Sequence, residues 1–107
     1  MVDSETKYTY DNAILILRHQ IEKCHDKYSD GTGRDRLTTK FTILYDVIRD
    51  YEIVNQWDLP QDESLNLLFN LGIMTGICTS YLETGELNKE DVSHLNKIYR
   101  KYKNEKK

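Results

Sequence analysis

Apolar residues recur along the chain at steps of three and four, the spacing of one face of a helix. Tyr10, Ile14, Leu17, Ile21, Cys24 and Tyr28 form the first stripe, with Glu22, Lys23, Asp26 and Lys27 largely off it. Ile16 falls outside the stripe and predicts a second contact. Leu37, Phe41, Leu44, Ile48 and Tyr51 form the next, widened by Tyr45, Val47 and Val54. Val92, Leu95, Ile98 and Tyr102 form the last. Between them lies the stretch from Ser64 to Leu82, which has no wide polar face and no charge between Glu63 and Glu83. A helix apolar nearly all round is one that neighbours enclose. The pattern therefore predicts an all-α fold, an antiparallel up-down four-helix bundle with a central apolar third helix.

Punctuation agrees with the stripes. The expected helices cover about residues 9–28, 34–55, 59–83 and 88–104 of a single domain, 1–107, with residues 1–8 and the last few frayed. Thr9 or Asp11 is a candidate cap for the first helix. Ser29 to Gly33 breaks the chain with two glycines. GTGRD there lacks the preceding strand and the Lys-Ser/Thr ending of a phosphate loop, so it reads as a turn. Trp57 to Pro60 is the second break, with Asp58 as a cap and Pro60 tolerated in a first turn. Thr84-Gly85 ends the third helix. Asn88 is a strong N-cap for the fourth, with Leu87 and Val92 spaced as a hydrophobic staple and Glu90 and Asp91 at the positive dipole end.

Gly72 and Gly76 form a Gly-x-x-x-Gly step inside the apolar stretch. Each costs roughly 1 kcal/mol of helix propensity, which predicts a close core contact in return. Asn66, Asn70, Thr75, Thr79 and Ser80 dilute the stretch. A membrane span needs ~20 predominantly apolar residues, so no membrane span is expected. Met1 to Tyr10 has no basic and apolar leader pattern, and Cys24 and Cys78 have no metal-ligand spacing. Reduced thiols in a cytoplasmic protein are the expectation.

Charge is unevenly placed. Residues 97–107 hold six Lys or Arg and one Glu, leaving nine basic and seventeen acidic residues for the rest. The body is acidic and the tail basic.

Candidate chemistry is sparse. His19, His25 and His94 do not form a paired set, and Glu22 to His25 is one copy of a Glu-x-x-His step where a di-metal bundle needs two. No nucleophile-base triad can be assembled from the spacing. The expectation is a protein that is not an enzyme and that has no cofactor and no metal.

Two resemblances bear on function. Leu67 to Gly85 resembles the helix-turn-helix of phage-type repressors, with Leu71-Gly72-Ile73 at the turn and Tyr81, Glu83 and Gly85 near the end of the second helix. It departs from that pattern at Leu68, where the family has a small residue. The segment from Thr75 to Leu82 also carries no Arg, Lys, Asn or Gln to read base edges. The overall organisation is similar to the small cytosolic four-helix immunity proteins of bacteriocin producers, a likeness of architecture that assigns no residue.

The eight tyrosines carry more weight. Tyr8, Tyr45 and Tyr99 fall off the inner stripes, and Trp57 lies in a break. Exposed aromatics are the usual material of protein interfaces, and the expected binding surface combines acidic helix faces with exposed tyrosines. The residues expected to bind a partner are Tyr8, Tyr45, Trp57, Tyr99, Arg100, Lys101 and Lys103. The leading expectation is a small non-catalytic protein-binding protein, such as a phage or mobile-element inhibitor or adaptor acting on a host protein. The alternatives are an immunity protein, a homodimer built on the tyrosines, and nucleic-acid binding through the basic tail or through segment 67–85.

Overall fold

A computed structural model describes residues 4–28, 36–55 and 59–104. Four helices account for nearly all of them: α1 (Ser4–Tyr28), α2 (Arg36–Asn55), α3 (Gln61–Thr84) and α4 (Lys89–Asn104). No strand occurs among the described residues. The breaks at Ser29 to Gly33 and at Gln56 to Asp58, with the expected Asp58 cap, lie outside them.

α1 starts five residues before the expected boundary. The side chains of the first turns explain why. Lys7 pairs with Asp11 at 2.7 Å and reaches Glu52 of α2 at 3.7 Å. The Thr9 hydroxyl donates to the Glu5 carbonyl, 2.9 Å away. Thr9 and Asp11 are therefore interior helical residues rather than caps.

Two ends form as the sequence predicts. Asn88 Oδ1 accepts the Asp91 N–H at 2.8 Å and caps α4. Gly85, at φ 77°, closes α3 in the left-handed region, and its N–H donates to the Tyr81 carbonyl at 2.7 Å.

The helices alternate in direction, and the order in which they pack differs from the order in the chain. α1 and α2 are antiparallel, as the Lys7–Glu52 pair shows. α1 and α3 make the most extensive contact of the bundle. Along it Gln20 meets Thr79 and Tyr28 meets Leu82, so numbering rises together and the two helices are parallel. α2 and α4 are parallel by the same criterion. Lys40 and Ile43 lie beside Asn96, and Tyr51 packs edge-on against Tyr102 at 4.9 Å. Around the bundle the order is α1, α2, α4, α3, which leaves α2 and α3 diagonal. With neighbours ~8–10 Å apart, the five residues between Asn55 and Gln61 are long enough for that diagonal step.

The core follows the three stripes. Tyr10, Ile14, Leu17, Ile21, Cys24, Phe41, Leu44, Ile48, Tyr51, Leu95, Ile98 and Tyr102 are buried. α3 differs from its expectation. Leu67, Leu71, Met74, Ile77, Cys78 and Tyr81 are buried, while Leu65 is 51% exposed and Phe69 67% exposed. α3 is a corner of the bundle, and its outer side faces solvent. Gly72 and Gly76 are on that side, and a Cβ added to either would meet nothing within 4 Å. The close core contact expected of them does not form. Packing inside the chain leaves their propensity cost unmatched.

α3 is also one unbroken helix through Leu71-Gly72-Ile73. The helix-turn-helix that residues 67–85 resemble in sequence is absent because no turn separates its two halves. By length and composition α3 would suit a membrane span. Its polar residues nevertheless have bundle partners: Asn70 donates to the Tyr102 hydroxyl at 2.8 Å, and Thr79 accepts from Gln20 at 2.7 Å.

Candidate functional site

The residues expected to bind a partner fall in four places. Tyr8 is on the outer side of α1, exposed to 69%. Tyr45 is half-buried and lines a groove of about 370 Å3 between α1 and α2, together with Arg18, Glu22, His25 and Asp46. Lys101 lies on the α3 side of α4, with its ammonium 5.6 Å from the Tyr102 ring centre. Trp57 lies outside the described residues. Tyr99 and Lys103 come together on the outer side of the α2/α4 pair, and Arg100 is exposed on α4.

Helix geometry builds this last cluster. Leu95, Ile98 and Tyr102 turn inward and fix the rotation of α4. The same rotation directs Asn96, Tyr99 and Lys103 toward α2 and leaves Lys97 and Arg100 exposed. Tyr99 is half-buried, with the Lys103 ammonium 5.5 Å from its ring centre, a cation-π distance. Lys40, Ile43 and Leu44 of α2, with Asn96 and Tyr99 of α4, line a groove of about 220 Å3. Its lining is apolar at Ile43 and Leu44 and cationic at Lys40, with the Lys103 ammonium over the Tyr99 ring. Ile43 and Val54 extend the apolar strip along α2, both exposed, and Asp50 is the acidic residue of that rim.

The sequence flagged Tyr99, Arg100 and Lys103 but not Lys40 or Ile43. Their signal was present: Lys40, Ile43, Val47 and Val54 repeat at helical spacing beside the inner stripe of α2. Which side of that stripe α4 would occupy depends on the packing order, and no local pattern encodes it.

Metal chemistry has no comparable cluster among the described residues. No group of three or more His, Cys, Asp or Glu there could hold a metal ion. His19 Nδ1 is 3.9 Å from Glu22 Oε1, both exposed. The two cysteines meet in the core, with 3.8 Å between sulfurs. Burial first, and the neighbouring Cys24 second, push the Cys78 thiol well above its ordinary value of 9.0. A thiol held protonated in this way is a poor nucleophile. Burial likewise raises the Tyr10 hydroxyl above 10.0, with Glu52 adding to the shift.

No family model matches the chain, and no curated protein or solved structure is significantly similar to it.

Proposed function

We propose that this chain is a non-catalytic protein-binding protein whose recognition surface is the α2/α4 groove. The observation that carries the reading is the convergence of Tyr99, Lys103, Lys40 and Ile43 around one apolar cleft. An aromatic ring with a polar tip, an apolar floor and basic rims suit a partner segment that offers one apolar anchor flanked by carboxylates. The ring supplies contact area at low conformational cost, and Lys40, Arg100 and Lys103 supply steering and register. An inhibitor or adaptor that blocks a host protein would work in this way, by occupying a surface rather than turning over a substrate.

The test compares two nuclease-treated preparations on the same bacterial lysate, the wild-type protein and Tyr99→Ala/Lys103→Glu. The reading predicts one stoichiometric protein retained by the wild type and lost by the double variant, while Tyr8→Ala retains it. Equal capture by both preparations, or retention of nucleic acid alone before nuclease treatment, overturns it.

A further inference from the structure

On the opposite side of the bundle the α1/α3 pair presents a different surface. Leu65, Phe69, Gly72 and Gly76 run along the outer side of α3. Thr9, Asn12 and Ile16 run parallel to them on α1, and Ile16 is 55% exposed. A shallow groove of about 240 Å3 lies between, lined by Thr9, Ala13, Ile16, Leu68, Gly72 and Thr75. Two glycines within one helix each cost roughly 1 kcal/mol. Nothing among the described residues uses the space they open.

We propose that this face pairs with the same face of a second copy, with the two α3 helices antiparallel across a twofold axis near residues 72 and 73. The inference is independent of the α2/α4 reading, since it uses the other side of the molecule. Three observations select a second copy. The first is shape. In that register Phe69 of each copy lies against Gly76 of the other, and Leu65 lies against Ser80. The large side chain meets the position without one. The glycines let the backbones approach closely enough for the ring to be covered.

The second is charge. The face itself has none, because no charged residue falls between Glu63 and Glu83 on α3. Its two ends differ. Helical spacing puts Glu5 and Asp62 at the end where α1 and α3 begin. It puts Lys23 and Lys27 beside Glu83 at the other, and the Lys27 ammonium is bonded there to the Leu82 carbonyl at 2.8 Å. Antiparallel pairing brings the acidic end of each copy to the end carrying two lysines. Parallel pairing would stack Phe69 on Phe69 and like ends on like, so the antiparallel arrangement is favoured.

The third is area. α3 is ~36 Å long from its 24 residues. Two helices ~9 Å apart then present a face of roughly 600–700 Å2. Specific interfaces bury about 600–1,000 Å2 per partner, so the face is at the low end of that range, the size of a modest, concentration-dependent dimer. An isologous pair of this kind is closed and does not propagate.

Sedimentation of the full chain across a range of concentrations tests this. The wild type is expected to move from monomer to dimer as concentration rises. Phe69→Ala and Gly76→Leu should each weaken the dimer at least about tenfold. Circular dichroism of both variants should match the wild type, because neither position is packed inside the chain. Ile53→Ala, at an exposed site on α2, should leave the dimer unchanged. A wild-type chain that stays monomeric at the highest concentration overturns the proposal, as does a dimer that survives both variants. A monomer that instead partitions onto neutral phospholipid vesicles through Phe69 also overturns it, by assigning the face to lipid.

Discussion

The two parallel helix pairs of this bundle are built alike and finished differently. Each pair turns its inner stripes into one core and leaves a shallow groove outside. Between α1 and α3 the seam is stitched by polar bonds: Gln20 to Thr79, Lys27 to the Leu82 carbonyl, and the Tyr28 hydroxyl to the carbonyls of Tyr81 and Leu82 at 3.1 and 2.8 Å. Between α2 and α4 the seam has the edge-on Tyr51–Tyr102 contact. Outside, the α1/α3 groove is neutral and lined by an exposed glycine, while the α2/α4 groove has Lys40 in its lining and Lys103 over its Tyr99 ring. Backbone architecture therefore does not set the chemistry of the grooves. The residues one position off each inner stripe do, and they can change without disturbing the core.

The largest effect that tests this separation lies within α3. Leu71 is fully buried, and Phe69, two residues earlier, is mostly exposed. Leu71→Ala should destabilise the fold by about 2–5 kcal/mol through lost burial and a residual cavity. Phe69→Ala should change the stability of the dilute monomer by less than about 0.5 kcal/mol. Urea unfolding followed by circular dichroism measures both. Similar losses from the two substitutions would mean that α3 is enclosed on both sides, and the contrast between grooves would collapse.

This pair of residues also marks where the sequence stopped being legible. The inner stripes of α1, α2 and α4 could be read because polar residues outline them, and the caps at Asn88 and Gly85 could be read because capping is local chemistry. On α3, Leu65, Leu67, Leu68, Phe69 and Leu71 look equivalent, since no polar face shows which side is out. Burial there is decided by which helices sit alongside, and the pairing of α1 with α3 is a long-range outcome. The glycines were visible, but a Gly-x-x-x-Gly step has the same sequence whether its neighbour belongs to the same chain or to another. In the candidate site, Tyr99 and Lys103 were legible as four-apart residues on one helix, whereas Lys40 and Ile43 join them only through the packing order.

A smaller effect separates the two pairs through their tyrosines. The Tyr28 hydroxyl donates to the Tyr81 and Leu82 carbonyls at the end of α3, which also accept from the Gly85 N–H and the Lys27 ammonium. Tyr28→Phe should cost about 1 kcal/mol, the net worth of a hydrogen bond whose acceptors keep their other donors. Tyr99→Phe, in the groove of the other pair, should stay within about 0.5 kcal/mol. Thermal or urea unfolding of the two variants side by side reads the difference. Equal losses would place Tyr99 in the fold rather than at a recognition surface.

The smallest effect carries the opposite sign. Gly72 lies mid-helix with open space where a Cβ would go. Gly72→Ala should therefore stabilise the dilute monomer by about 0.5–1 kcal/mol, through helix propensity and a less flexible unfolded chain. Gly85 is the control. Its φ of 77° is a conformation that L side chains rarely adopt, and a Cβ there would come within 3.4 Å of the Tyr28 hydroxyl. Gly85→Ala should cost roughly 1–2 kcal/mol. Denaturant unfolding at a concentration where the wild type is monomeric gives both values. A loss of stability from Gly72→Ala would show that the glycine serves a contact inside the chain. A gain, with Gly85→Ala destabilising, shows that one glycine is required by the fold of a single chain and the other is not.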